Sequence, residues 1–457
     1  LARSDLIEFH KKKKYPVRGA TVAVVLAVFV IFIAAGVYSL ARLWDQYGTV
    51  VVNFLQTVGV PEMMGSNLMT VVLAFGGLIV LSLVMAFVAS LLAKRLGGTL
   101  ILIGAAFMNL ITWGITIAVL YMGGFTLATI GDMWPMFLLG AFTLVMTFLL
   151  VTVFKDRLRR AGELIKMTGQ VCLEEKGVFV PQLFAMAFSL ISAVLYAGII
   201  LEFTPLNVLL NSQAWTIEAS AAAAIGMILY LFTTVFIYNF AYATTSAVTY
   251  IYIRGRDPSL TDGVKGALSV IGGIALLSVM SVIVKIISAA LRRGGSEAGG
   301  AGAVVGGIAA SILEWVWMLI NYFTIPAMVA ENLGATDGIK RSIRLVRSNF
   351  VDVIIKETGV RWGFAVLAVM FFVGFALGGA LIGWVVTNDL AMAIAGAIVF
   401  IILASIPSAL VLKTFDIVYV TLLYVFIRTK AGDIRGKLAI PASMKKELNA
   451  AYRKANS

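Results

Sequence analysis

Ten apolar runs, each about twenty residues or longer, punctuate this chain of 457 residues, and no other feature restricts its fold as strongly. A helix needs roughly 20 predominantly apolar residues to cross a bilayer. In hydrocarbon every backbone N–H and C=O must be satisfied within such a segment, which leaves helices as the spanning form for runs of this length. The runs predict spans at Gly19–Leu43, Asn67–Ala93, Thr99–Met122, Pro135–Phe154 and Val180–Leu201. A second set follows at Ile217–Ile253, Gly266–Leu291, Ala303–Ala330, Gly363–Thr387 and Ala391–Ile427. The expected fold is all-α, a polytopic transmembrane bundle of about ten spans. Ile217–Ile253 and Ala391–Ile427 exceed one straight crossing and must tilt, kink or continue beyond the bilayer; Pro407 marks a kink in the latter. Composition agrees: 61% of residues are hydrophobic and 13% charged, too few polar groups to clothe a water-exposed surface.

Charge orients the bundle. With the N-terminus inside, 31 of the 36 Lys and Arg residues fall on one face: the tail, 94–95, 155–176, 254–265, 340–361 and 428 onward. The positive-inside rule then places both termini in the cytoplasm of a cell membrane. Trp44, Trp134, Trp215 and Trp384 fall near the outer span ends, as an aromatic belt requires. The net charge of +13 is therefore topogenic and meets lipid headgroups, not nucleic acid. Lys11–Lys14 before the first run reads as the start of an uncleaved signal anchor. No predicted outer loop has room for a globular domain.

A five-residue pattern recurs: Thr261-Asp262-Gly263-Val264-Lys265 returns as Thr336-Asp337-Gly338-Ile339-Lys340. It suggests a duplicated helical hairpin in parallel orientation, and divides the chain into a four-span extension (1–176) and a six-span domain (177–457). After the second copy, Ile339, Ile343, Val346 and Phe350 form an apolar stripe between Lys340, Arg341, Arg344 and Arg347. This is a basic amphipathic helix suited to anionic headgroups at the inner interface. The segment 155–170, with Arg157, Arg159 and Arg160, reads the same way.

Ionisable groups within spans are costly and hence candidate functional groups. Glu314 lies mid-span, and Lys285 on the preceding span is its expected partner; the pair is either a structural ion pair or a relay for protons or substrate. Lys413 and Asp416, three apart, can satisfy each other on one helix face. Gly374/Gly378 and Gly379/Gly383 favour close helix packing, within the chain or between protomers. One cysteine and one histidine remove the usual metal clusters and His-based triads. No P-loop, HExxH or CxxC motif occurs, so neither a catalytic residue nor a cofactor is expected.

The stretch Tyr322–Gly334, followed by Ile339-Lys340-Arg341-Ser342, resembles a prokaryotic family of uncharacterised multi-pass membrane proteins marked by FxxPxxVxExxGxxxAIKRS. Gly255–Gly263 is similar to that family's preceding loop, and a looser likeness extends to the membrane domains of some glycerophosphodiester phosphodiesterases. The resemblance implies a helical bundle over about 180–430 and no activity. Three functions stay open: a scaffold or accessory subunit of a larger complex, which the short loops and glycine faces favour; a transporter or channel for a small solute, proton or lipid using Glu314 and Lys285; and a lipid-modifying enzyme.

Overall fold

The structure is a computed structural model that describes residues 19–57, 68–204, 216–297 and 299–430. The Lys11–Lys14 tail, Trp215 and the basic residues beyond 430 lie outside the described residues.

The apolar runs are helices throughout. In chain order they are α1 Gly19–Thr57, α2 Leu68–Leu96, α3 Gly98–Met122, α4 Leu127–Asp132, α5 Trp134–Val151, α6 Lys155–Glu174 and α7 Val180–Phe203. Then come α8 Ile217–Ile253, α9 Leu260–Ser269, α10 Ile271–Glu297, α11 Gly300–Asn321, α12 Thr324–Glu331 and α13 Ala335–Ser348. The last are α14 Phe350–Ile355, α15 Arg361–Thr387 and α16 Leu390–Lys430. Among the described residues, nine helical segments are long and apolar enough to cross a membrane; α2 occupies the position of the second expected span. The protein is an all-α polytopic bundle. Its outer surface is studded with exposed Leu, Ile, Val and Phe, the surface that lipid solvates.

Three boundaries differ from the sequence expectation. First, α1 continues as helix to Thr57, beyond the expected end at Leu43. Second, the eighth span is broken. α11 stops at Asn321 and α12 starts at Thr324, and the freed Phe323 N–H donates to Ser342 Oγ at 2.9 Å. A buried N–H left without a partner costs about 1–3 kcal/mol, so this hydroxyl is what makes the break tolerable. Third, the ninth span starts thirteen residues earlier than Gly363, at Phe350, and carries a π turn at Lys356–Val360. Lys356 and Arg361 thus lie on a helical segment long and apolar enough to span, rather than in a separate connecting loop; two carboxylates reach the buried Lys356.

Packing is set by small residues. Without a hydrophobic drive between helices in lipid, close backbone approach supplies the contact energy. Gly379 of α15 lies where a Cβ would stand 2.4 Å from the Gly396 carbonyl oxygen, and a Cβ on Gly383 would likewise collide with the Met392 carbonyl oxygen. The α15–α16 hairpin therefore consumes one of the two GxxxG spacings inside the chain, while Gly378 faces open space. The repeat motif opens α9 and α13, and each copy sets its glycine against the preceding helix. Gly263 faces the Thr244 carbonyl of α8, and Gly338 the Thr324 carbonyl of α12. A capping box between Ser259 and Asp262 fixes the first copy's start.

On the two basic helices the cationic side chains divide between ion pairs and exposed positions. α6 buries Leu158, Gly162, Ile165, Gly169 and Cys172 among others. Gly162 and Gly169 let it close on Gly98 and on the Ser90 carbonyl. Arg157 and Arg160 turn inward to Asp352, at 3.5 and 3.8 Å, and Arg159 remains exposed. On α13 the buried face is Ala335, Gly338, Ser342, Leu345 and Val346, a stripe rotated from the predicted one, and Ile343 and Phe350 are exposed. Arg341 is drawn in by Glu331 at 3.0 Å; Lys340, Arg344 and Arg347 stay exposed.

Candidate functional site

Among the described residues, charges collect in the bundle in three clusters besides the Arg157–Arg160–Asp352 contact already given. The first surrounds a cavity of about 680 Å3 bounded by α7, α8, α10, α11 and α16. Lys285, Glu314 and Lys413 all line it, so the structure gathers three of the four intramembrane charges singled out in the sequence into one space. Their partners differ from those expected. Glu314 accepts from Arg292 at 2.8 Å and not from Lys285. Arg292 lies seven residues beyond Lys285, on the same face of α10, and its planar fork suits a carboxylate better than an ammonium does. Lys413 does not take Asp416; its ammonium stands 5.1 Å from the Tyr238 ring centroid, a cation–π arrangement. Among the described residues no ion pair or hydrogen bond reaches the Lys285 ammonium. Two donors on the wall are buried without a partner: Gln182 Nε2, on a side chain only 1% exposed, and Thr234 Oγ1.

A smaller chamber of about 280 Å3 adjoins the first, sharing Tyr238, Asn239, Ser281 and Trp317 with it. The two stack along α8: the larger reaches back to Thr234, the smaller forward to Tyr242. Eight residues of α8 cover about 12 Å at 1.5 Å per residue. In the smaller chamber the charges are matched. Lys356, 2% exposed, contacts Asp416 and donates to Glu357 at 2.7 Å, and Glu357 also takes Arg361 at 3.0 Å. The Lys356 ammonium lies 5.4 Å from the Tyr322 ring centroid. Asp416, expected to serve Lys413, is thus taken by the lysine with the greater need, since Lys356 is buried and Lys413 opens onto the larger cavity. Sequence reasoning missed Lys356 as a site residue because it sits in a run of basic residues that reads as an inner-face connector.

The third cluster is structural. Glu331, at the end of α12, receives Arg341 and contacts the hydroxyl of Tyr424, while Arg428 Nε stands 3.4 Å away. Arg428 is fully buried. This knot ties the α12–α13 elbow to α16 and accounts for the acidic residue in Val329-Ala330-Glu331.

Outside the spans, burial with Asp257 and Glu174 nearby raises the Glu175 carboxyl above its ordinary range. Burial raises the Cys172 thiol as well, which keeps it in its unreactive form. Among the described residues no group of three or more His, Cys, Asp or Glu gathers where a metal could sit.

Residues 221–433 match a family model described as Family of unknown function (DUF6159). The chain is similar to that family over α8 to α16, the part that carries every charged residue of both cavities. No curated protein matches the chain.

Proposed function

We propose that this chain is a membrane transporter for a small polar solute, with the stacked cavities beside α8 as its binding site and passage. One observation carries the reading: a 680 Å3 space inside an apolar bundle into which Lys285, Glu314 and Lys413 project. Lysines at this depth facing lipid would be costly, whereas a water-filled or ligand-filled space solvates them. The matched ion set around Lys356 sits next along the passage and would act as its constriction. In this reading both termini are cytoplasmic, the exposed Lys340, Arg344, Arg347 and Arg159 meet anionic headgroups, and Arg292 lies toward the opposite face.

A scaffold role leans on glycine faces as partner surfaces, and that support is reduced because Gly379 and Gly383 are occupied within the chain. The test loads proteoliposomes with a mixture of small metabolites and follows protein-dependent loss by mass spectrometry. Ser281→Trp, which fills the wall common to both chambers, abolishes the loss. A folded protein that moves none of the mixture and purifies in fixed ratio with partners is a scaffold instead.

A further inference from the structure

The larger cavity holds more positive charge than negative, and the excess is not shared with the protein. Glu314 is its carboxylate, and Arg292 already neutralises it at 2.8 Å. Lys285 and Lys413 remain, the first with no ion pair among the described residues and the second with the Tyr238 ring. Gln182, on the same wall, adds a buried amide N–H left without an acceptor. Two cations and an unpartnered amide N–H thus line one space whose single carboxylate is already paired. Buried polar groups in folded proteins are almost always paired, so the missing partner is one that brings negative oxygens.

Resting on the transport reading above, we propose that the occupant of this cavity carries an oxyanion, a carboxylate or phosphate, held between Lys285 and Lys413 with Gln182 Nε2 as a third donor. A cation would meet two ammoniums of its own sign and would have to displace Arg292 to reach Glu314. A neutral solute would leave the two ammoniums with water alone as their counterpart in the cavity. The volume exceeds what a bare inorganic anion fills. Met186, Leu190 and Ile406 on the remaining wall suit the apolar body of an organic anion or the first carbons below a lipid headgroup.

Charge-selective thiol labelling tests this. Ser281→Cys places a reporter on the shared wall of the full chain, and the native Cys172, buried with its thiol protonated, stays silent. The protein in nanodiscs is treated with the sulfonatoethyl, trimethylammonioethyl and hydroxyethyl methanethiosulfonates, each rate divided by that of a free thiol. The sulfonate is expected to react about tenfold or more faster than the trimethylammonium reagent, the order of effect two unit charges exert at intermediate dielectric. Lys285→Gln combined with Lys413→Gln erases the preference. Equal rates, a preference for the cation, or a preference the lysine substitutions leave untouched overturns the anion assignment while leaving the cavity open to water. Failure of all three reagents, with the thiol recovered on denaturation, overturns the transport reading itself. Val284→Cys, on the same wall, repeats the measurement if Ser281→Cys folds poorly. Slowing of the sulfonate reaction only in discs containing phosphatidylglycerol assigns the oxyanion to a lipid headgroup. Slowing by added inorganic phosphate in discs of phosphatidylcholine alone assigns it to a free solute, and either result upholds the site.

Discussion

Two adjacent glycines on α15 should respond to the same substitution with opposite signs. At Gly379 an added methyl would lie 2.4 Å from the Gly396 carbonyl oxygen and 2.7 Å from Phe400 Cβ. The carbonyl belongs to the interior of α16 and cannot swing away, so the hairpin must open by about 1 Å to restore ordinary contact distances. Overpacking of this kind costs about 1–3 kcal/mol. It is the upper part of that range that applies, because the obstacle is backbone. Alanine returns about 1 kcal/mol of helix propensity over glycine, which leaves Gly379→Ala destabilised by ~1–2 kcal/mol. At Gly378 nothing lies within 4 Å, so Gly378→Ala keeps the propensity gain without the clash. Thermal midpoints followed by fluorescence-detected size exclusion in mild detergent read both effects. Gly379→Ala falls by several degrees and Gly378→Ala holds or rises. If Gly378→Ala falls as far as its neighbour, its face is packed against something else, a second copy of the chain, and the reasoning that confines these glycines to one hairpin fails.

Three further substitutions probe the elements that shape the site. Ser342→Ala strands the Phe323 N–H at the break between α11 and α12 and should cost about 1–3 kcal/mol, whereas Ser342→Thr, which keeps the hydroxyl, should recover part of it in the same thermal assay. Lys356→Met removes the cation between Asp416 and Glu357. The expected loss is about 2–3 kcal/mol, below the ~3–5 of a fully buried pair because Asp416 is 42% exposed and Glu357 keeps Arg361. Adding Asp416→Asn to Lys356→Met should restore stability, and a strictly additive double variant would refute the pairing. Glu175→Gln has a pH-dependent sign. A carboxyl raised by burial and by Asp257 and Glu174 contributes stability only while protonated, and that contribution is lost as pH rises through its folded value. The variant should therefore melt higher than the parent at neutral pH, and the gap should close in acid; a gap that widens on acidification would contradict the sign.

The spans were legible because each is a long apolar run, and the errors fall where charge interrupts one. The basic run 340–361 reads as one cytoplasmic connector, but the ninth span-length segment begins with α14 at Phe350, and Asp416, some sixty residues on, pairs with Lys356 within it. That partnership is a tertiary fact with no local signature. The break before α12 was equally hidden: Tyr322 and Phe323 are as apolar as their neighbours, and the hydroxyl that satisfies the break comes from α13. α6 looked like a surface helix from its arginines, while Gly162 and Gly169, which let two backbones close on it, carried the opposite information. Glu314, Lys285 and Lys413 stood out because a charge within an apolar run is visible in one dimension. Their pairing was not, since it depends on the register of α10 against α11, which Gly295 and Gly306 set by contact.

Those pairings separate charges that hold the bundle from charges that serve it. A charge withdrawn from water needs a counter-charge or a solvated space. Arg341 and Arg428 meet Glu331, Arg157 and Arg160 meet Asp352, Lys356 meets Asp416 and Glu357, and Arg292 meets Glu314. Apart from Lys356 with its neighbour Glu357, each of these joins two helical segments and is explained by the contact it makes. Among the described residues Lys285 and Lys413 join nothing acidic, yet they open into one cavity from two different helices. A structural purpose would have been served better by methionine or leucine, which carry no desolvation cost. On the proposed reading their charge serves a partner that enters the cavity, and Glu314, the residue most conspicuous in the sequence, is the supporting one, paired with Arg292.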